Sequence, residues 1–317
     1  MHTTANIDVL IRSELWSNEL KDILIDELQA TKYVDWMSQF PDGTTFTIPS
    51  IGEATVRDYV EDTAVQYDSL DTGEFQFTIT DYLSSATYIT QKARQDAFYA
   101  ARLEASFVPK QLRAIMERVE TSVMALGQGG ASGGQTINDL NNINGAPHRW
   151  VTSGTNQVMQ VSDFAKAVYS LKKANVPQRN LIAIVDPSVE FAINTITNIT
   201  NVSNNPRWEG IITSGIASGM RFVKNIYGFD VYTSNYLADS TETINSVTAG
   251  AGKCNLFFSA DSTVLPFIGA WRQMPKVDGE YNKDFQREEY VTTARYGLKV
   301  YRPENLVVVI SDTDQVL

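Results

Sequence analysis

Apolar positions recur every three to four residues over 6–38. Ile7, Leu10, Ile11, Leu20, Ile23, Leu24 and Leu28 share one side, which predicts an amphipathic helix, or two, with a strongly acidic opposite face. Pro41, Asp42 and Gly43 stop it, and Thr44 to Pro49 has strand chemistry. From Ala54 to Asp81 the pattern predicts a long hairpin. Val56, Tyr59 and Val60 lie on one arm, Phe75, Phe77 and Ile79 alternate on the other, and Asp71-Thr72-Gly73 forms the turn. The first arm also carries Arg57, Asp58, Glu61 and Asp62. It is too polar to pack on its own core, so the hairpin is expected to project and to need another surface.

Strand pattern resumes at Ser85–Thr90. Residues 91–126 then form the strongest helix, with Phe98, Ala101, Ala105, Leu112, Ile115, Val119 and Val123 as its apolar stripe. Unbroken, it would run about 54 Å; Pro109 is expected to kink or divide it. Gly127–Gly134 predicts a flexible break and the main domain boundary, with the irregular region continuing to Trp150. Beyond it the pattern is α/β. Ser162 is expected to cap a helix over Asp163–Asn175, Leu181–Val185 to form a buried strand, and Pro187 to open a helix through Asn194. Asn198–Arg207 has the look of an exposed loop, and its Asn-X-Ser/Thr sequons mean nothing without secretion. Met220–Tyr232 predicts strand, turn at Gly228, strand. Leu256–Ala260 and Tyr296–Tyr301 add strands, and Leu306–Ile310 is apolar enough to be covered on both faces.

Charge changes this picture. The chain of 317 residues carries a net charge of -11, which argues against a protein that grips nucleic acid. Residues 1–90 hold 16 acids and 4 bases, net -12, and residues 91–317 hold 21 acids and 22 bases, net +1. One end of the chain is electrostatically unlike the rest. No stretch has the charged-then-apolar form of a secretory leader, or the roughly 18 apolar residues of a membrane helix, so folding in a reducing cytoplasm is expected.

Candidate chemistry is sparse. Gly129, Gly134, Gln135 and Thr136 have the spacing of a phosphate-binding loop, but Gln135 stands where the essential Lys belongs, and the segment follows a helix. His2 and His148 have no evident partner and read as ordinary surface histidines. Cys254, the single cysteine, precedes an apolar strand and reads as a structural thiol. The acids Glu53, Asp58, Glu61, Asp62, Asp68, Asp71 and Glu74 lack the spacing of a calcium loop. They form either a solvated face or a contact with a basic neighbour. No catalytic residue, cofactor or metal is expected.

The second half contains, in order, Leu171-Lys172-Lys173-Ala174-Asn175-Val176-Pro177, Val185-Asp186-Pro187 and Ile226-Tyr227-Gly228-Phe229-Asp230-Val231-Tyr232-Thr233-Ser234-Asn235. Asn255-Leu256-Phe257-Phe258-Ser259-Ala260 and Tyr296-Gly297-Leu298-Lys299-Val300-Tyr301-Arg302-Pro303-Glu304 follow. This succession resembles the major capsid proteins of tailed bacteriophages with the Hong Kong 97 fold, over nearly the whole chain. The resemblance implies an α+β fold: an N-terminal arm over 1–43, an E-loop hairpin with flanking strands over 44–84, and a peripheral domain with a spine helix and Gly-rich linker over 85–150. An axial domain over 151–270 and a return to the periphery over 271–317 complete it. It implies self-assembly through hexamers and pentamers into an icosahedral virion shell around double-stranded DNA, without sequence-specific DNA binding and with no membrane. A scaffolding protein, a portal and a decoration or cement protein are the implied partners, and the bacterial host cytoplasm the site of synthesis. The arm starts close to Met1, so the scaffold is expected as a separate protein.

The charge split gives the resemblance a mechanism. Arg57, Asp58, Glu61, Asp62, Asp71 and Glu74 on the E-loop are the expected contacts to a neighbour, with Arg94, Arg102, Lys110, Arg113 and Arg118 on the spine helix as their basic counterparts. No Lys occurs between 44 and 90, so an isopeptide crosslink donated by the E-loop, known in the family, is not expected here. Two other readings compete: an encapsulin-like cellular compartment of the same fold, and a cytoplasmic α/β enzyme that would account only for the second half.

Overall fold

Continuous apolar strands can be stable only when covered on both faces, and the chain places its most apolar run in the middle of a sheet. The computed structural model describes residues 28, 30–37, 45–51, 56–58, 61, 62, 64, 72–96, 100–129, 142–195 and 222–314. It begins with a 3-10 turn, Ala30–Tyr33, and strand β1, Val34–Met37. The ribbon β2 (Thr45–Ile51) and β3 (Thr72–Thr78) leads into β4 (Asp81–Thr90), α1 (Gln91–Asp96) and α2 (Ala100–Ala125). Short strands β5 (Asn142–Ile143), β6 (Ala146–Pro147) and β7 (Arg149–Val151) precede α3 (Val161–Lys173), β8 (Leu181–Val185) and α4 (Pro187–Thr195). Then come β9 (Phe222–Ile226), β10 (Phe229–Thr233), β11 (Asp239–Ser240), β12 (Thr243–Ile244) and β13 (Val247–Thr248). The last strands are β14 (Gly252–Ser259), β15 (Phe267–Asn282), β16 (Arg287–Val300) and β17 (Val307–Asp312).

Two sheets organise these elements. The larger runs β7-β17-β14-β8-β10-β9, with β11 added beside β14. All six residues of β17 are buried. Val307 and Val309 face the core under α3 and α4, where Phe257 meets the rings of Phe164 and Phe229 edge-on at 5.2 Å each. Val308 and Ile310 face the opposite core, shared with Val123, Met124 and Leu126 at the end of α2 and with Phe267 and Val300 of the smaller sheet. The predicted turn at Gly228 is a two-residue loop in which Tyr227 (φ 50) and Gly228 (φ 89) both adopt positive φ, as a tight hairpin requires.

The smaller sheet has the order β1-β15-β16-β4. Helix α2 lies on one face of it. Thr292 donates to Gln111 Oε1 at 2.7 Å, the Gln111 amide donates to the Tyr290 carbonyl at 3.2 Å, and the hydroxyls of Ser122 and Tyr296 share a bond of 3.0 Å. Buried Glu120 accepts from the Ala30 N–H at 2.7 Å, which ties the 3-10 turn to the same helix.

Several sequence expectations are corrected. The Asp71-Thr72-Gly73 turn is not one: Thr72 and Gly73 are strand residues opposite Ile51 and Ser50, so the ribbon pairs 45–51 with 72–78 and its tip falls between them. The helix expected to reach residue 38 gives way to a 3-10 turn and a strand over 30–37; 6–27 lies outside the described residues. Helix α2 continues through Pro109 for 26 residues, about 39 Å, held by packing on the sheet despite one lost backbone bond. Gln160, not Ser162, caps α3, in a reciprocal box with buried Asp163.

Gly127 and Gly129 are buried and hydrogen-bonded, so the Gly-rich segment starts as packed structure; 130–141 lies outside the described residues. So does the loop expected over 198–207. Residues 271–317 do not return to one place. Residues up to Val300 stay in the smaller sheet, whereas β17 enters the larger one between edge strand β7 and β14.

Candidate assembly surfaces

The β2–β3 ribbon is anchored at its base. Phe77 and Ile79 are buried there with Ile268 and Ala270, and Phe75 meets Tyr301 edge-on at 5.1 Å. The Lys299 ammonium donates to the Gln76 carbonyl at 2.7 Å and lies over the Phe75 ring. Gly297 permits the approach. A Cβ there would stand 2.9 Å from the Thr78 carbonyl oxygen and 3.0 Å from Ile79 Cα. Beyond the base the described tip residues 56–58, 61, 62 and 64 are all exposed, Val56 at 94%. Arg57, Asp58, Glu61 and Asp62 are therefore on the surface, as is Glu74 on β3 opposite Pro49. Asp71 lies outside the described residues.

The basic candidates divide. Arg94 on α1 is ion-paired with Glu288 of β16, and Arg113 on α2 donates to Glu117 one turn on at 3.1 Å. Both are engaged within the subunit. Lys110, Ala114 and Arg118 form an exposed stripe at four-residue spacing along α2, with the two cations about 12 Å apart along the axis. Arg102 belongs to the same helix. Among the described side chains this part of the expected basic surface is presented outward as a row.

Sequence reasoning missed a buried ion pair. Arg149 on β7 is 2% exposed and holds Glu242 with both Nε, at 2.6 Å, and Nη2, while Nη1 donates to the Gly127 carbonyl at 2.7 Å. Glu242 also accepts from the Gly129 N–H at 2.6 Å and the Ser240 hydroxyl at 3.0 Å. Burial alone would raise the Glu242 pKa, but the Arg149 guanidinium and these donors hold it below the usual carboxylate value. The network clamps the end of α2 to the larger sheet. Nearby Cys254 is pushed up to about 11, mainly by burial, the environment of an inert thiol.

His148 is not a surface histidine. It is 1% exposed, with Nδ1 bonded to the Ala146 carbonyl at 3.1 Å and Nε2 without a partner. Burial pushes its pKa below the ordinary value, against the Ala146 carbonyl and Glu304. A depressed histidine contributes stability that is complete above about pH 6.5 and lost as the pH falls through its folded value. Urea midpoints of unassembled subunits should therefore fall between pH 7.5 and 5.5, by at most about 1.4 kcal/mol per pH unit from this group. His148→Gln should flatten that part of the slope.

Among the described residues no cluster of three or more His, Cys, Asp or Glu could hold a metal, and no helix is long and apolar enough to cross a membrane. What the geometry provides is surface: a projecting acidic ribbon and a long helix with a basic stripe. The family model described as phage capsid protein matches residues 72–309, well over half of the chain. The chain belongs to the phage capsid protein family. No curated protein sequence matches this capsid protein. Solved structures share its fold over nearly its full length. The capsid of cyanophage P-SCSP1u aligns with a TM-score of 0.71 at 14% identity, covering 97% of this chain and 94% of that one. The mature capsid of bacteriophage PhiM1 gives 0.70 at 10%, covering 97% and 94%. A structure from Mycobacterium phage Che8 gives 0.65 at 17%, covering 93% and 96%. At such identities the likeness is one of fold. The capsid protein is thus a mixed helix-and-strand shell subunit, and its location is the virion.

Proposed function

We propose that this chain is the major capsid protein of a tailed phage and closes an icosahedral head through hexamers and pentamers. In this reading β2–β3 is the E-loop, α2 the spine helix of a peripheral unit built on the smaller sheet, and the larger sheet the axial unit. The observation that carries it is the ribbon, held by buried Phe77 and Ile79 at one end and exposed at every described residue of the other. A projection of that kind calls for a second surface. Laid across the next one, its acids Asp58, Glu61 and Asp62 meet Lys110 and Arg118, which gives orientation and register. Head-to-tail contacts of this kind close into rings. The family match favours a phage shell over an encapsulin-like compartment, and the double-stranded genome would be enclosed without specific contacts. A scaffolding protein, a portal and a decoration or cement protein would be its partners in the host cytoplasm.

Electron microscopy of the expressed protein, alone and with its scaffold, tests this. Shells, or rings of five and six, are the expected result; compact monomers under all conditions would overturn it. Changing Asp58, Glu61 and Asp62 together to Lys should reduce the yield of shells at least about tenfold, since like-charge contacts cost several kcal/mol. Sedimentation should show the subunit still soluble, and normal shells from the triple variant would remove the electrostatic part.

A further inference from the structure

The smaller sheet has two long open edges, and the chain treats them differently. Beyond Ala270, where pairing with β1 stops, the free side of β15 carries Pro275, Lys276, Asp278, Gly279 and Glu280, and its pairing with β16 shifts register twice. Proline, charge and bulges are the devices that stop an edge strand from accepting another strand. Beyond Asp81, its first residue, β4 has none of them. From Tyr82 to Thr90 it contains no charged residue, no Pro and no Gly, and it pairs with β16 over ten consecutive residues without a shift. Not one of its ten residues is buried, and Tyr82 and Tyr88 are 62% and 57% exposed. Among the described residues no strand lies on its outer side.

We infer that β4 is an acceptor edge for strand addition by a second copy of this chain, and that the incoming strand is β2 of that copy's ribbon. The inference rests on the capsid reading and names the surface on which the E-loop lands. Over 45–48, before Pro49, β2 is likewise free of charge and of proline, and among the described residues β2 is paired only with β3. A two-stranded ribbon is marginal in water and gains stability as part of a wider sheet. β4 starts three residues after β3 ends, so each subunit would give one ribbon and receive one. A contact of that kind is head-to-tail and closes a ring, whereas pairing of two β4 edges would stop at a dimer.

Two measurements on full-length protein test the assignment. Amides of 82–90 and of 45–51 should exchange with deuterium at least about tenfold more slowly in assembled shells than in unassembled subunits. Thr47→Cys combined in turn with Ser84→Cys, Ala86→Cys or Tyr88→Cys should give, for at least one pair, a ladder of disulfide-linked multimers from oxidised shells. Each single variant should stay monomeric on non-reducing gels; native Cys254 is fully buried and takes no part. Disulfide dimers from Ala86→Cys alone would show β4 pairing with β4 and overturn the assignment. So would shells that form normally while 82–90 exchange as fast as in free subunits, a result that leaves the capsid reading intact. Protection of 82–90 already present in the free subunit would show that the chain covers its own edge, and would overturn it too.

Discussion

Arg149→Met should destabilise the subunit by about 3–5 kcal/mol, the usual consequence of leaving one member of a buried ion pair alone. The variant removes every bond that Arg149 makes to Glu242 and to the Gly127 carbonyl. Glu242 would then be a buried carboxylate held only by Ser240 and the Gly129 N–H. Urea unfolding of unassembled subunits measures the loss. Arg149→Met with Glu242→Leu should recover a large part of it, since an apolar pair removes the stranded charge. If the double variant is no better than the single one, the loss comes from the Gly127 carbonyl and the packing around it rather than from the charge. Because Glu242 titrates below the ordinary value, the clamp is complete above about pH 4.3 and weakens only as the pH falls through the depressed one.

Gly297→Val should release the ribbon while leaving the larger sheet folded. Two of the nearest atoms to the new Cβ are backbone, the Thr78 oxygen at 2.9 Å and Ile79 Cα at 3.0 Å, so no side-chain rotation relieves the clash. Overpacking of this kind costs about 1–3 kcal/mol, borne locally by the docking of Phe77 and Ile79. Amide exchange over 72–80 should accelerate, with 181–185 and 307–312 unchanged, and shell yield should collapse. Gly279→Ala is the control. Its Cβ would meet only the Tyr290 ring at 3.4 Å, ordinary contact, and shells should form as in the native protein.

What the sequence made legible was set by how local the causes are. β8 and β17 are continuous apolar runs, which only a strand covered on both faces tolerates, and both were found almost to the residue. The turn at Tyr227-Gly228 was legible because one glycine supplies a backbone conformation that few residues accept. The outer parts of β15 and β16 were missed. The side chains of β15 alternate there between exposed and half-buried, those of β16 are half-buried over 287–291, Pro275 looks like a breaker, and the strands exist because α2 and β4 flank them. Asp71-Thr72-Gly73 has turn chemistry, but the docking of Phe75, Phe77 and Ile79 decides which residues pair. Arg149 and Glu242 are 93 positions apart, and no pattern in either neighbourhood announces the other. Of the assembly surfaces, the acids at the ribbon tip were legible as charge. The division among the basic residues was not, because Glu288 and Glu117 claim Arg94 and Arg113 only once the chain has folded.

The position of β17 also sets a timetable. Its partners β7 and β14 are made earlier, and the place between them stays open until Val307–Asp312 has left the ribosome. Pairings so distant along the chain form slowly. By then the ribbon and β4 have long been made. Serine, threonine and tyrosine outnumber the aliphatic Leu83, Ala86 and Ile89 on that early strand and lower its tendency to stick before the core is complete. On the reading proposed above, the subunit acquires the surfaces meant for its neighbours before it has finished its own interior.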